Sequence, residues 1–302
     1  MERRVLDIAT GRCYLSKKRG SLSVASSSDA PGVSERLVPF DEIESIIVHT
    51  PQASYSNSVV VELARRGIPL VCCDAYHTPA AWLWPVQANY EQSRRMSAQA
   101  NLPDDLRASL WAILIRTKLE AQAAVLHNQN HDPSPLHELA HRVSADNCTL
   151  LEAQGARWYW TRLFGDEFRR RRDGPGPNGL LNYGYAVLRA TVARCVCATG
   201  LHPSLGLQHH NRFNAFCLAD DLMEPFRPAV DRTVLGLWSR ECQNVDAEAK
   251  SDLVAVLARG VNTDRGIAPL SRCIEWAAQS LTKAVLERRP HISLPDSRSI
   301  VG

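Results

Sequence analysis

LRASLWAILIRTKLEAQAAVLHN, Leu106 to Asn128, repeats apolar or small residues at 110, 113, 114, 117, 121, 124 and 125. That is the spacing of an amphipathic helix. Downstream the same period continues in Pro135–Val143, Ala145–Phe168, Asn178–Thr199, Asp221–Leu237, Asp246–Ala258 and Pro269–Glu287, with a break at Gly174-Pro175-Gly176-Pro177. Upstream the pattern changes. Short β-type runs (Arg3–Ile8, Arg12–Leu15, Ser21–Ala25, Ile43–Val48, Ile68–Cys73) are punctuated by Gly11, Gly20, Pro31-Gly32, Pro39 and Pro51. One helix, Ser58–Arg66, interrupts them and hands over at Gly67 to Ile68-Pro69-Leu70-Val71. The expected class is α+β by segregation: a small β-rich domain over residues 1–85, then a larger all-α domain over 86–302.

Composition narrows the function classes. The 302 residues are 45% hydrophobic and 22% charged with a formal net charge of +3, which excludes disorder, collagen-like repeats and a disulfide miniprotein. Nine cysteines are an odd number, and Cys72-Cys73 and Cys195-x-Cys197 lack zinc-ribbon or thioredoxin spacing, so reduced thiols are expected. Met1-Glu2-Arg3-Arg4-Val5 is not the start of a signal peptide, and no apolar run reaches the ~18 residues of a membrane span, so a soluble cytoplasmic protein is expected.

Charge is unevenly spread. From Arg157 to Ala219 nine arginines (157, 162, 169, 170, 171, 172, 189, 194, 212) face three acids, a local +6. From Asp220 to Glu248 seven acids face three arginines, a local −4. Arginines that hold a polyanion beside carboxylates that hold a cation suit a metal-dependent enzyme acting on phosphodiesters. The plainer reading of Arg169–Arg172 is a solvated helix end.

Three groups of residues carry the chemistry. Glu152 shares a predicted helix face with Ala156, Tyr159 and Leu163, where a carboxylate is costly without a cation or donor. An ion pair with Arg157 or with an arginine of another helix is the alternative to a functional role. Asp221 and Glu224, in Asp220-Asp221-Leu222-Met223-Glu224-Pro225, are three apart on a predicted helix start. They suit Mg²⁺ or Mn²⁺ through hard oxygen ligands, or else form a capping box. His209 and His210 precede the acids in a loop, and an imidazole with two or three carboxylates again points to Mn²⁺ or Mg²⁺. His137-Glu138-Leu139-Ala140-His141 matches the H-E-x-x-H zinc-protease pattern, but Arg142 follows at once and no third ligand has obvious spacing.

Taken together, Glu152-x-x-x-Ala156-Arg157-x-Tyr159-Trp160, Leu181-Asn182-Tyr183-Gly184-Tyr185, Gly200-Leu201-His202-Pro203-x-Leu205-Gly206-x-x-His209 and Asp221-Leu222-Met223-Glu224-Pro225-Phe226-Arg227-Pro228-x-x-Asp231 resemble, in order and spacing, the CRISPR-associated integrase of spacer acquisition. The resemblance runs from about Val5 to Glu287 and is nearest the form found in type II systems. It implies a β-sandwich N-terminal domain that dimerises and contacts a partner, and a helical catalytic domain. It also implies two homodimers around a dimer of a second small CRISPR-associated adaptation protein, with double-stranded DNA bearing 3′ ends and the CRISPR repeat as substrates. Carried over residue by residue, Glu152, His209 and Glu224 are the implied metal ligands for Mg²⁺ or Mn²⁺, with Asp221 as a further acidic residue of the site. His210 and Asp220 are the neighbours that compete for those places. Arg157, Arg162, Arg169, Arg170, Arg171, Arg172 and Arg212 are the expected contacts to DNA. The implied activity is insertion of DNA fragments by 3′-hydroxyl attack, with metal-dependent endonuclease activity when water attacks. The alternatives are a zinc protease built on His137–His141 and a non-catalytic DNA-binding scaffold.

Overall fold

In a computed structural model, residues 4–8, 11–27, 33–68, 70–74, 79–83 and 92–302 are described. The predicted start at Met1–Arg3, the Pro31-Gly32 turn, Pro69 of the handover and the boundary after residue 85 lie outside them. The chain separates into two compact units, Met1–Tyr90 and Glu91–Gly302.

Alternation builds the first unit. Strand β1 (Arg4–Ile8) is followed by β2 (Arg12–Lys18), in which Cys13 and Leu15 are buried while Arg12 and Tyr14 face out. The two-residue turn Arg19-Gly20, both with positive φ, returns the chain as β3 (Ser21–Ser27), pairing Lys18 with Ser21. Strands β4 (Val33–Pro39), β5 (Ile43–Val48) and β6 (Ala53–Tyr55) lead to helix α1 (Asn57–Arg65). The helix starts one residue before the predicted position because the Ser56 hydroxyl accepts from Val59 N. It ends at Gly67, whose φ of +63° a β-carbon would disfavour. Strands β7 (Leu70–Cys73) and β8 (Pro79–Leu83) follow. The strands form two four-stranded sheets, ordered β1-β5-β7-β8 and β4-β3-β2-β6. Leu15, Leu22, Val38, Ile46, Leu63 and Leu70, drawn from both sheets and α1, share one apolar cluster.

The second unit begins with α2 (Gln92–Ala100) and is organised around α3 (Asp104–Asn128). The sequence suggested a one-sided helix over 106–128. The structure corrects this, since Trp111, Leu114, Ile115, Lys118, Leu119 and Val125 are all buried. The reason is that α4 (Ser134–Arg142), α5 (Cys148–Phe164), α8 (Arg227–Ser239) and α11 (Ser297–Ile300) pack around it. Helix α5 stops at Phe164, where Gly165 takes a φ of +93°. The predicted continuation to Phe168 is therefore absent, and Arg169–Arg172 lie in a loop before α6 (Asn178–Ala198) rather than on a helix end. The single helix expected over 221–237 is divided into α7 (Cys217–Leu222), a 3₁₀ turn Glu224–Phe226, and α8. Pro225 and Pro228 lack the N–H groups that a continuous ladder needs, and each sits at the start of a new segment.

After α9 (Ala247–Ala255) comes a hairpin of β9 (Gly260–Thr263) and β10 (Gly266–Pro269), so the expected order of a strand-rich unit and then a helical one holds, with one short hairpin added to the helical unit. Its buried strand residues, Val261 and Ala268, pair across the two strands, and Gly266 takes the turn's positive φ. Helix α10 (Leu270–Glu287) and the short α11 close the chain. All nine cysteines are free thiols. No helix among the described residues is long and apolar enough to cross a membrane.

Candidate active site

Trp111 and Lys118 are seven residues apart, two turns of α3, and share a face. The Lys118 ammonium lies 2.6 Å from Glu152 Oε1 on α5 and 2.6 Å from Glu224 Oε2 at the start of the 3₁₀ turn. Glu224 Oε1 meets the Arg227 guanidinium at 3.0 Å. Burial works against charge on Lys118, but Glu224 and Glu152 outweigh it and raise its pKa. Burial likewise opposes ionisation of Glu224, yet Arg227 and Lys118 hold its pKa below the ordinary value. Glu224 Oε2 is buried against the Lys118 ammonium, so a cation offsets its charge in a site closed to water.

The ion-pair partner of Glu152 is therefore Lys118, a residue the helical pattern of the sequence does not single out, and not an arginine. The same rule that singled out Glu152, a charge among buried apolar neighbours, finds Lys118 once the 111–115–118 side of α3 is known to be buried.

His209 reaches this cluster from the loop between α6 and α7. Its Nδ1 donates to Asp221 Oδ1 at 2.5 Å. Asp221 is fully buried, and its Oδ2 accepts from Leu207 N at 2.6 Å and Gln208 N at 3.0 Å. Helix α7 begins four residues before Asp221, so the carboxylate caps the incoming loop and not its own helix. Asp221 and Glu224 consequently diverge: one orients His209 and the other faces Lys118. Because Nδ1 is committed to Asp221, Nε2 is the ring nitrogen left to bind a ligand. The Asp221 hydrogen bond raises the His209 pKa against the opposing effect of burial. Trp111 meets the ring edge-on, with centroids 6.0 Å apart.

The loop is held from several sides. Gln99 on α2 donates to the carbonyls of His202 and Leu205, each at 2.8 Å, and accepts from His202 N. Arg107 donates to Gly206 O at 2.9 Å. A β-carbon at Gly206 would stand 2.4 Å from His209 O and 2.8 Å from Asp221 Oδ2, so only glycine fits there. Asp220 belongs to a separate latch, bound by Arg189 and by Asn214 Nδ2 at 2.7 Å. The geometry thus distinguishes the neighbours: Asp221, not Asp220, faces His209, and of the two exposed histidines it is His209 that Asp221 holds.

Beneath the glutamates lies a second buried charge. Asp231 on α8 accepts from the Tyr159 hydroxyl at 3.0 Å and from the Tyr185 hydroxyl at 2.5 Å. Tyr159 is two turns beyond Glu152 on α5, and Arg227 sits 4.7 Å above the Tyr185 ring. Burial pushes the Asp231 pKa up to about 6 against the opposing pull of both tyrosines.

Of the predicted DNA contacts, Arg157, Arg162, Arg169, Arg171, Arg172 and Arg212 are exposed. Arg170 differs. It donates to Asn178 and Asn182 of α6, stacks over Tyr185 at 5.3 Å, and burial lowers its pKa. His137, Glu138 and His141 all lie on the exposed side of α4. Among the described residues no three His, Cys, Asp or Glu side chains close on one point. At His137–His141 this leaves two solvated imidazoles without a third ligand. At Glu152 and Glu224 the centre is filled by the Lys118 ammonium, and the charge of His209 acts on Glu224 from alongside.

The profile of the family described as CRISPR associated protein Cas1 matches residues 6–259. This chain belongs to the Cas1 family. The CRISPR-associated endonuclease Cas1 of Neisseria meningitidis serogroup C (strain 8013) is 34% identical over 228 residues, covering 75% of this chain and 73% of that protein. The Cas1 endonuclease of Francisella tularensis subsp. novicida (strain U112) is 27% identical, covering 80% and 82%. The fold recurs in solved structures. One is a casposase bound to integration product, with a TM-score of 0.80 and 18% identity, covering 98% of this chain and 93% of that one. Another is a Cas1 protein from Thermotoga maritima, with a TM-score of 0.72 and 18% identity over 94% and 97%. A Cas6-RT-Cas1–Cas2 complex matches 97% of this Cas1 chain at a TM-score of 0.74 and 17% identity, over 36% of the other chain. The Glu152, His209 and Glu224 cluster lies wholly inside the stretch matched by the Cas1 profile.

Proposed function

We propose that this Cas1-family chain is a divalent-metal-dependent DNA integrase and endonuclease that inserts DNA fragments as new spacers into a CRISPR array. The carrying observation is the Lys118 ammonium clamped at 2.6 Å by both Glu152 and Glu224 beside the Asp221-oriented His209. It is a site already arranged for positive charge. Two carboxylates held around a positive charge, with an imidazole nitrogen alongside, fit Mg²⁺ or Mn²⁺. Glu152, Glu224 and His209 Nε2 would hold the ion. When bound, it supplies polarisation of the scissile phosphate and neutralises developing charge.

The chain's own residues do the rest. Asp221 fixes the ring of His209, Arg227 keeps Glu224 ionised, and Lys118 offsets two carboxylates that would otherwise repel. The 3′-hydroxyl oxygen of the fragment bonds to a repeat phosphorus as the P–O3′ bond of the repeat breaks. The proton of the attacking hydroxyl passes to the departing 3′ oxygen. One phosphodiester replaces another, so no ATP is consumed, and water in place of the hydroxyl gives nuclease cleavage. The exposed arginines would follow the DNA backbone. The Cas1–Cas2 and Cas1–DNA complexes among the structural neighbours support assembly on DNA with the second small adaptation protein; we read that assembly as cytoplasmic, with each chain acting in a homodimer.

The test is a strand-joining assay with a short duplex bearing free 3′-hydroxyls and a repeat-containing plasmid, with and without the second protein. Joined product that requires Mn²⁺ and disappears in Glu152→Ala supports the proposal. Folded, DNA-bound protein that joins nothing in any mixture would replace it with a non-catalytic scaffold.

A further inference from the structure

Phe213 is 83% exposed, the most exposed large hydrophobic side chain among the described residues. A single exposed apolar residue is ordinary, but this one is presented rigidly. Its N–H donates to Asn211 Oδ1 at 2.9 Å, and Asn214 N donates to Asn211 O at 2.9 Å. Asn214 also caps Phe216 N and reaches Asp220, which Arg189 grips while stacking on Phe216. The tip of the loop is therefore tied down on both sides of a ring left in solvent.

Arg212 lies over that ring, its guanidinium carbon 4.7 Å from the centroid. Next to it opens a cleft of about 260 Å³ lined by Ser204, Leu205, His209, His210, Asn211 and Arg212. The same loop, four residues earlier, carries His209. A flat aromatic face capped by a guanidinium matches how single-stranded nucleic acid is held, through base stacking with a cation at the backbone. A buried apolar role does not match a ring in water, and its place on the His209 loop, beside a cleft lined by Arg107, Arg212 and two histidines, favours a polyanionic strand as its occupant.

We propose that Phe213 and Arg212 form a stacking platform for an unpaired nucleobase of the DNA strand that enters the His209 cleft. The inference rests on the DNA reading above and adds a residue-level site to it. It predicts preference for DNA ends with unpaired bases over fully paired ends, without base specificity, since every base presents a π-face.

The experiment measures equilibrium binding of the full chain in EDTA, so that no chemistry is required. The probes are a duplex with a few unpaired thymidines at its 3′ end and the same duplex with paired ends. Phe213→Leu keeps apolar volume but removes the π-face, and Phe213→Trp restores it. Wild type and Phe213→Trp should favour the unpaired end, and Phe213→Leu should lose about 5- to 100-fold on that probe alone. A 2-aminopurine in the unpaired stretch should change its fluorescence on binding wild type and not on binding Phe213→Leu. Equal affinity of Phe213→Leu and wild type for the unpaired end overturns the platform and leaves the integrase reading standing. Equal weakening on both probes, or a failure of Phe213→Leu to self-associate as wild type does, overturns it in favour of a general or protein contact. Wild type that binds neither DNA overturns the DNA reading itself.

Discussion

Lys118 is the residue on which the charge of the site turns. Removing one partner of a buried ion pair costs about 3–5 kcal/mol, because the other charge stays behind. Lys118→Met would leave Glu152 and Glu224 facing one another across an apolar side chain. At about 2–4 °C per kcal/mol for a unit of this size, the melting temperature in EDTA should fall by about 6–20 °C. Mn²⁺ should restore more of that loss in Lys118→Met than it adds to wild type, and unchanged melting in EDTA would refute the role. Asp231 makes a second prediction of opposite logic. Its folded pKa of about 6 lies above the ordinary value, so the folded state holds its proton more tightly than the unfolded chain does. Stability relative to Asp231→Asn is therefore fully present below ~4 and is lost as pH rises through 6, a change of roughly 3 kcal/mol. Chemical denaturation of both proteins from pH 4 to 8 measures it; a difference that is flat or grows with pH contradicts the assignment.

At the scale of elements, the site depends on how closely α5 crosses α3. Gly155 makes that approach: a β-carbon there would lie 2.3 Å from Leu119 Cδ2. Glu152 is one turn earlier on α5, so any retreat of the helix draws its carboxylate from Lys118. Gly155→Ala should cost about 1–3 kcal/mol and slow strand joining, and Leu119→Ala in the same chain should relieve part of both. Melting curves and joining rates of the single and double variants test this, and an additive double variant would argue against the crossing. The crossing also explains what the sequence could reveal. Glu152 was legible because a carboxylate on an apolar stripe demands a partner. Lys118 was not, because it borders the 114–121–125 stripe, where a lysine reads as an edge residue that carries its ammonium out to water. Asp221 and Glu224 look like a pair because they are three apart, yet α7 begins at Cys217 and turns them to different partners. The contact of Asp221 with His209 spans twelve residues along a path set by Gln99, Arg107 and Gly206, and no periodicity encodes such a path.

Across the whole molecule, long periodic runs announced the helical second unit, and short alternating runs announced the strand-rich first one. β6, β8 and the strands of the β9–β10 hairpin are three to five residues long, too few for alternation to stand out. The seven-residue β4 went unread because its Ser34, Glu35 and Arg36 break the apolar run. Charge distribution is the other property visible at this scale, and here position in the sequence and position in the fold part ways. Arg169, Arg170, Arg171 and Arg172 are one basic run as sequence, but Asn178 and Asn182 on α6 take the Arg170 guanidinium inward while also accepting from or donating to the backbone of its neighbours. The run is thus anchored by one arginine and presents three to solvent. If those three lie along DNA phosphates, log affinity against log salt should become shallower by about 0.9 for each phosphate that Arg169→Ala/Arg171→Ala/Arg172→Ala no longer neutralises, with melting unchanged. Arg170→Ala should do the reverse. Its removal strands the side-chain oxygen of Asn182 and leaves Asn178 Oδ1 with the Arg171 N–H alone, so melting should fall while the slope changes little beyond what unfolding produces. DNA titrations between 50 and 200 mM salt, run beside melting curves, separate the two; a triple variant with the wild-type slope would remove this loop from the DNA path.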